Sequence, residues 1–233
     1  MKILSIDTAS NICGVSILED THLICQLDQD TGRTHSENLM PMIQQAFKQS
    51  NLSLQDIDLL ACDKGPGSFT GIRIGIATAK AFQDSLGIPC VGITSLEALA
   101  YSIKKEGLIA SIIDCKNDNC YFALYQLKND NYQEIISPTA QTITDALKLC
   151  QQNSSSAIHL TFVGDGSEKY KELILANFEN CVLAPSKNNS LNSYYVGLAG
   201  LSKEKEKKSE DILPLYLKKP QAQRQLEENL KDI

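Results

Sequence analysis

The chain has 233 residues, with 28 acidic against 22 basic side chains and a net charge of −6 at neutral pH. A chain of that length buries roughly 70 to 75% of the surface its unfolded form exposes, so neither crosslinks nor a structural metal is needed to hold a core. The acidic balance argues against a large fixed electropositive surface for phosphate backbones but does not exclude nucleic acid as a substrate held mainly by a partner.

Residues 3–7, 13–18 and about 22–28 are rich in β-branched and apolar side chains and are separated by Ser10-Asn11 and Glu19-Asp20, which predicts an antiparallel meander. Thr34-His35-Ser36-Glu37 is a capping box, followed by Leu39, Met40, Ile43, Ala46 and Phe47 at helical spacing, so a helix is predicted from 35 to about 49. A strand at 57–62, a helix at 71–86 with Ile72, Ile76, Ala79 and Phe82 on one side, and a strand at 88–93 give a strand-helix-strand rhythm. That rhythm predicts parallel strands after the meander. Thr94-Ser-Leu-Glu97 is a second capping box, opening a short helix through Leu96, Leu99 and Ala100.

From residue 107 the pattern restarts. The run 109–114 ends in Asp114 as 3–7 ends in Asp7, and the run 120–127 follows at the spacing of 13–18. A shift of 107 places Asp7 on Asp114, Asn11 on Asp118 and Cys13 on Cys120, the mark of one strand-turn-strand opening used twice. A helix around 139–150, a strand at 159–163, a helix near 167–175 and another from about 192 to 206 follow. The polar segments 153–156 and 187–190 read as loops rather than sites. The expected division is 1–103, 104–210 and a tail, 211–233. The tail's apolar start, Ile212-Leu-Pro-Leu-Tyr-Leu217, either packs back on the first domain or serves as a docking strip. The basic clusters 203–208 and 218–219 are either solvated or contact RNA or a partner.

Six of the eight cysteines lie within or beside apolar stretches, where a thiol behaves as a small hydrophobe. There is no CxxC pair, and His22, His35 and His159 are scattered, so no local zinc site is expected. Lys2 and Asp7 leave no room for a secretory apolar region, and no apolar run approaches the ~20 residues of a membrane helix. A cytoplasmic location is the expectation.

The segment Asp63-Lys-Gly-Pro-Gly-Ser-Phe-Thr-Gly-Ile-Arg73 stands between a predicted strand and a predicted helix. Gly65, Gly67 and Gly71 permit close backbone approach, and amides at the helix start could face an anion. The lysine precedes the glycines and no Gly-Lys-Ser/Thr closes the segment, so it is neither a P-loop nor a dinucleotide fingerprint. The plain alternative is a tight turn that lets the helix approach the sheet, with Arg73 a stabilising contact.

Taken together, Ile6-Asp7-Thr8-Ala9, His35-Ser36-x-x-Leu39-x-Pro41-x-Ile43, the segment from Gly65 to Gly75 and Gly92-Ile-Thr-Ser95-Leu-Glu97-Ala-Leu99 resemble the bacterial TsaB (YeaZ) family. Ile113-Asp114, Val163-Gly164-Asp165-Gly166 and Pro214-Leu-Tyr-Leu217 extend the resemblance over most of the chain. It implies an α/β fold of the actin/hexokinase/Hsp70-like (ASKHA) kind, with two domains of mixed sheets flanked by helices. It also implies a non-catalytic paralogue that binds and activates the TsaD transferase. That transferase makes threonylcarbamoyladenosine at position 37 of tRNAs reading codons that start with adenosine. The TsaE ATPase joins the pair, tRNA is reached through the complex, and the chain alone forms a homodimer through helices of its first domain. No membrane takes part. No cofactor is implied for the chain alone, and ATP or ADP with Mg only in the assembled complex.

The catalytic relative has a His-x-x-x-His pair where this chain has Ser95 and Leu99, so neither a catalytic residue nor a metal ligand is expected here. Asp7, Thr8 and Ser10, with Gly164, Asp165 and Gly166, read as remnants of nucleotide contacts. The expected partner interface is His35, Leu39, Met40, Met42, Ile43 and Phe47 with Ile72 and Ile76, although such a strip could instead cover the protein's own sheet. Two other classes stay open. A self-sufficient kinase or ATPase on the same fold requires a second phosphate loop and a carboxylate beside it. A peptidase requires a nucleophile-histidine pair, and the adjacent side chains of His35 and Ser36 diverge on a helix.

Overall fold

The computed structural model describes residues 1–30, 35–154, 158–205 and 212–218. Strands β1 (Lys2–Asp7), β2 (Cys13–Glu19) and β3 (His22–Gln29) form the expected meander, with Asp7 opposite Gly14. Helix α1 (His35–Ser50) leads to β4 (Leu59–Asp63), parallel to β1; α2 (Phe69–Leu86) leads to β5 (Cys90–Ile93), parallel to β4. The sheet order is β3-β2-β1-β4-β5. Strand β4 is buried throughout and β1 nearly so, which is why both read as near-continuous apolar runs, broken in β1 only by the buried Ser5, rather than as alternating ones. Leu39, Met42, Ile43 and Ala46 of α1 and Ile72, Ile76 and Ala79 of α2 cover one face, sharing a core with Leu4, Ile6, Val15, Leu60 and Cys62. Thr34, the expected cap of α1, lies outside the described residues. Helix α2 ends at Gly87, whose left-handed backbone lets its N–H reach the Gln83 carbonyl.

Helix α3 (Ser95–Tyr101) opens with the expected capping box: Thr94 Oγ1 accepts from Glu97 N at 3.1 Å, and Glu97 Oε2 accepts from Thr94 N at 3.4 Å. The second half then repeats the first. Strands β6 (Gly107–Asp114) and β7 (Asn119–Lys128) are antiparallel, with Asp114 opposite Cys120. Strand β8 (Asn131–Thr142), helix α4 (Ile143–Asn153), strand β9 (Leu160–Val163), helices α5 (Asp165–Lys169) and α6 (Lys171–Asn177) and strand β10 (Cys181–Leu183) follow. The order is β10-β9-β6-β7-β8, which is the order of the first sheet read from its other edge.

The helix expected from 139 starts at Ile143, because residues 131–142 pair with β7 as an edge strand and Thr142 caps the helix instead, accepting from Asp145 N. An edge strand needs no clean apolar alternation and tolerates Pro138, so its pattern gave little signal. The helix expected at 167–175 begins at Asp165 and is broken at Tyr170 into α5 and α6.

The final helix, α7 (Ser193–Lys205), does not stay with the second sheet. Val196 and Ala199 pack on the outer face of the first, against Ile3, Leu18, Leu59, Ala61, Val91 and Ile93. Ser193 Oγ bonds Asp28 Oδ1 at 2.7 Å, and Lys203 Nζ reaches Glu97 Oε2 at 2.9 Å and the Gly92 carbonyl at 3.1 Å. A cut at residue 104 would therefore strip the first sheet of one of its covering layers. Ile212 is buried in the core that α1 and α2 cover. All eight cysteines are free thiols, six of them buried and Cys115 and Cys181 half-buried. No helix among the described residues is long and apolar enough to cross a membrane.

Candidate functional site

A cleft of about 820 Å³ opens between the two sheets. Its walls include Ser10, Asn11 and Ser68 from the first half and Asp114, Lys116 and Asp165 from the second. Asp114 ends β6, as Asp7 ends β1. Burial pushes its carboxyl up, but donors outweigh that and hold it below the ordinary carboxylate range. They are Lys169 Nζ at 2.8 Å, the Lys116 amide at 3.1 Å and the Tyr170 hydroxyl at 3.1 Å. Asp165 Oδ1 accepts from the Asp114 amide at 2.9 Å.

The structure does not bring all the expected nucleotide contacts to this cleft. Ser10 and Asp165 line it, whereas Asp7 and Thr8 lie buried. The Asp7 carboxylate accepts from Ala9 N at 3.0 Å, and the Thr8 hydroxyl donates to the Gly71 carbonyl at 2.7 Å. The glycine-rich loop sits directly on this turn, with Ser68 N donating to the Ala9 carbonyl at 2.6 Å. A Cβ at Gly67 would collide with the Ala9 carbonyl oxygen, and one at Gly71 with that of Thr8. The glycines are thus there for backbone approach. The Gly71 amide is also engaged, donating to Ser68 Oγ at 3.2 Å. Gly164 does the same in the second half, where a side chain would strike the Ile112 carbonyl. Its amide donates to Asn189 Oδ1 at 3.0 Å, so the 187–190 segment contains a buried organising residue that the sequence reading missed. An asparagine in a polar turn gives no sign of such a distant partner.

At the two positions where the resemblance places a histidine pair, Ser95 is buried and donates to Asp63 Oδ1 at 2.8 Å, and Leu99 is a cleft-wall residue. The Gly65 amide donates to the same Asp63 oxygen at 2.7 Å, while Asp63 Oδ2 is buried without a partner. Among the described residues no group of three or more His, Cys, Asp and Glu side chains could hold a metal ion. Of the groups expected at a nucleotide, the Asp7 carboxyl and the Thr8 hydroxyl are engaged within the chain.

The expected interface strip is divided by burial. Leu39 (1% exposed), Met42, Ile43, Ile72 and Ile76 belong to the protein's own core, because α1 and α2 turn those faces to the sheet. Phe47 is half-buried against that core. His35 is also half-buried, and its Nε2 bonds the Ser10 carbonyl at 2.8 Å. Met40 is 42% exposed, with Pro41 and Gln44 exposed beside it. The neighbouring helix α2 exposes Thr70, Arg73 and Ala77. Arg73 lies 3.9 Å over the Phe69 ring and donates to the Tyr216 hydroxyl at 2.7 Å, so it is a fold contact with the tail.

Two mixed sheets of one strand order, flanked by helices and facing each other across a cleft, define a protein of the ASKHA class. The ROK hexokinase from Thermus thermophilus has the same architecture, with a TM-score of 0.50, 10% identity and 88% of this chain and 100% of that one covered. YeaZ from Pseudomonas aeruginosa is more similar in fold, with a TM-score of 0.77 over 93% of this chain and 99% of that chain at 23% identity. In sequence, the family described as "TsaD: tRNA N6-adenosine threonylcarbamoyltransferase" matches residues 28–226. The tRNA threonylcarbamoyladenosine biosynthesis protein TsaB of Bacillus subtilis is 29% identical over 227 residues, 96% of each chain. The protein of the same name from Escherichia coli is 36% identical over 129 residues, 54% of this chain and 55% of that one. The chain belongs to this family, in its TsaB (YeaZ) branch.

Proposed function

We propose that this chain is the accessory subunit of a tRNA threonylcarbamoyladenosine-forming assembly, pairing with and activating a TsaD-type transferase without supplying reacting groups. The observation that carries the reading is the pair of positions 95 and 99. A hydroxymethyl committed to Asp63 and a buried isobutyl group stand where the resemblance puts the metal-holding histidines of the catalytic relative. The contact surface we assign is the exposed edge of α1 and α2, centred on Met40 with Ala77 and Thr70, while Leu39, Met42, Ile43, Ile72 and Ile76 hold that edge in place from beneath. A methionine there suits a surface used in turn by a second copy of the chain and by the transferase. We further assign to the assembly a TsaE-type ATPase, nucleotide and Mg held only in the complex, tRNA reached through the transferase, and a cytoplasmic setting. An independent kinase would need free phosphate-binding donors at residues 7–10 and 65–71, and the groups named above are bonded within the chain.

The test is reconstitution. Threonylcarbamoyl transfer to tRNA by the TsaD-type partner is measured without the chain, with it, and with its Met40→Glu and Ala77→Glu variants. Transfer should depend on the chain, and each variant should weaken the pairing roughly tenfold or more, the effect of about 1.4 kcal/mol. Full transfer without the chain, or phosphotransfer by the isolated chain, overturns the reading.

A further inference from the structure

We propose that residues 212–218 act as a strap that closes one rim of the cleft, fastening the glycine-rich loop of the first sheet to β7 of the second. The fastening begins with Ile212, buried in the first core beside Gly92. Next, the Leu215 amide donates to the Lys64 carbonyl at 2.7 Å, and its own carbonyl oxygen lies against Gly65, where a Cβ would come within 3.0 Å. Tyr216 then stacks on Phe69 with ring centroids 4.4 Å apart, and its hydroxyl accepts from Arg73 Nε. The Arg73 guanidinium lies over both rings, 3.9 Å from Phe69 and 5.6 Å from Tyr216. Finally, Lys218 Nζ sits 5.9 Å over the ring of Tyr121, on β7.

These attachment points flank the cleft. Pro66, Gly67 and Ser68 line its wall on the first sheet's side, and Tyr121 lines it on the second. The strap therefore runs from one wall to the other along the rim. Beyond the buried Ile212, it is held among the described residues by one backbone hydrogen bond, one side-chain hydrogen bond from Arg73, one stacked ring and two cations over rings, with Tyr216 39% exposed. Few contacts at partly solvated positions are the mark of a segment that opens locally before the rest of the fold. Leu213, 63% exposed, takes no part in the fastening.

The two half-buried thiols provide the test. Cys115 lines the cleft, whereas Cys181 lies on the edge strand β10. The full chain is treated with a maleimide, and mass spectrometry follows the labelling rate at each cysteine. In the Tyr216→Ala/Lys218→Ala double variant, Cys115 should react at least about fivefold faster, since loss of the Arg73–Tyr216 hydrogen bond alone, at ordinary net strength, changes the opening by that much. Cys181 should keep its rate in that variant, and Leu213→Ala should leave both rates alone. An unchanged Cys115 rate overturns the strap. So does an equal rise at both cysteines, which would report general loosening of the fold.

Discussion

Asp7 and Asp63 end the neighbouring parallel strands β1 and β4, one position beyond the Ile6–Cys62 pair, so the two carboxyls share a buried face of the sheet. Burial is the main cause that raises both, and the charge of Asp63 adds to the rise at Asp7. Asp63 moves from an ordinary 3.8 to about 7, against the lowering effect of the Gly65 amide and the Ser95 hydroxyl. A carboxyl raised in the folded state binds its proton more tightly there than in the unfolded chain. Its stabilising contribution is therefore complete below the ordinary carboxylate pKa and is lost as pH climbs towards the raised value. Urea melts at pH 5 and pH 8 should show the native protein losing stability across that interval relative to Asp63→Asn, by on the order of a few kcal/mol. Asparagine keeps the oxygen that accepts from Gly65 and Ser95, so parallel pH profiles for the two proteins would show that Asp63 does not hold its proton. In the sequence Asp7 was legible as a strand-ending acid beside a hydroxyl-rich turn. Its burial was not, because the loop that covers it lies some sixty residues further on.

At the scale of the helix, α1 separates two kinds of side chain one position apart. Leu39 is sealed in the core and Met40 faces outwards. Leu39→Ala should cost about 2–5 kcal/mol in a denaturant titration, whereas Met40→Ala should fall within about 0.5 kcal/mol of the parent. For assembly the ranking inverts. At a concentration where both variants remain folded, light scattering or pull-down with the transferase should show Met40→Ala as the weaker binder. The amphipathic spacing of α1 and the apolar runs of β1, β2 and β4 were readable from the chain, since each buries a continuous stripe or both faces. Helical spacing could show that one strip of α1 is apolar. It could not say whether the strip met the sheet or a second protein, and burial assigns most of it to the sheet. Strand β8 and the break between α5 and α6 were unreadable for a different reason: an edge strand and short helix turns depend on neighbours supplied by other parts of the chain.

Across the whole molecule, the restart at residue 107 was legible from three aligned residues, and the two sheets do carry one strand order. The ownership of α7 was not. Its sequence position attaches it to the second half, yet its apolar side packs on the outer face of the first sheet. A fragment of residues 1–103 should therefore fail to give a cooperative melt or dispersed amide signals, while the full chain gives both. A well-folded fragment would show that α7 is dispensable for the first sheet.

The position of α7 also sets an order of events during synthesis. The first sheet's strands have all been made by Ile93, but the helix that seals their outer face ends at Lys205. At roughly 5–20 residues per second, the apolar face made by Ile3, Leu59 and Val91 waits on the order of 5–20 s for its cover. The nascent chain spends that interval with a ready-made adhesive surface, so the first half is where a ribosome-associated chaperone would be expected to sit.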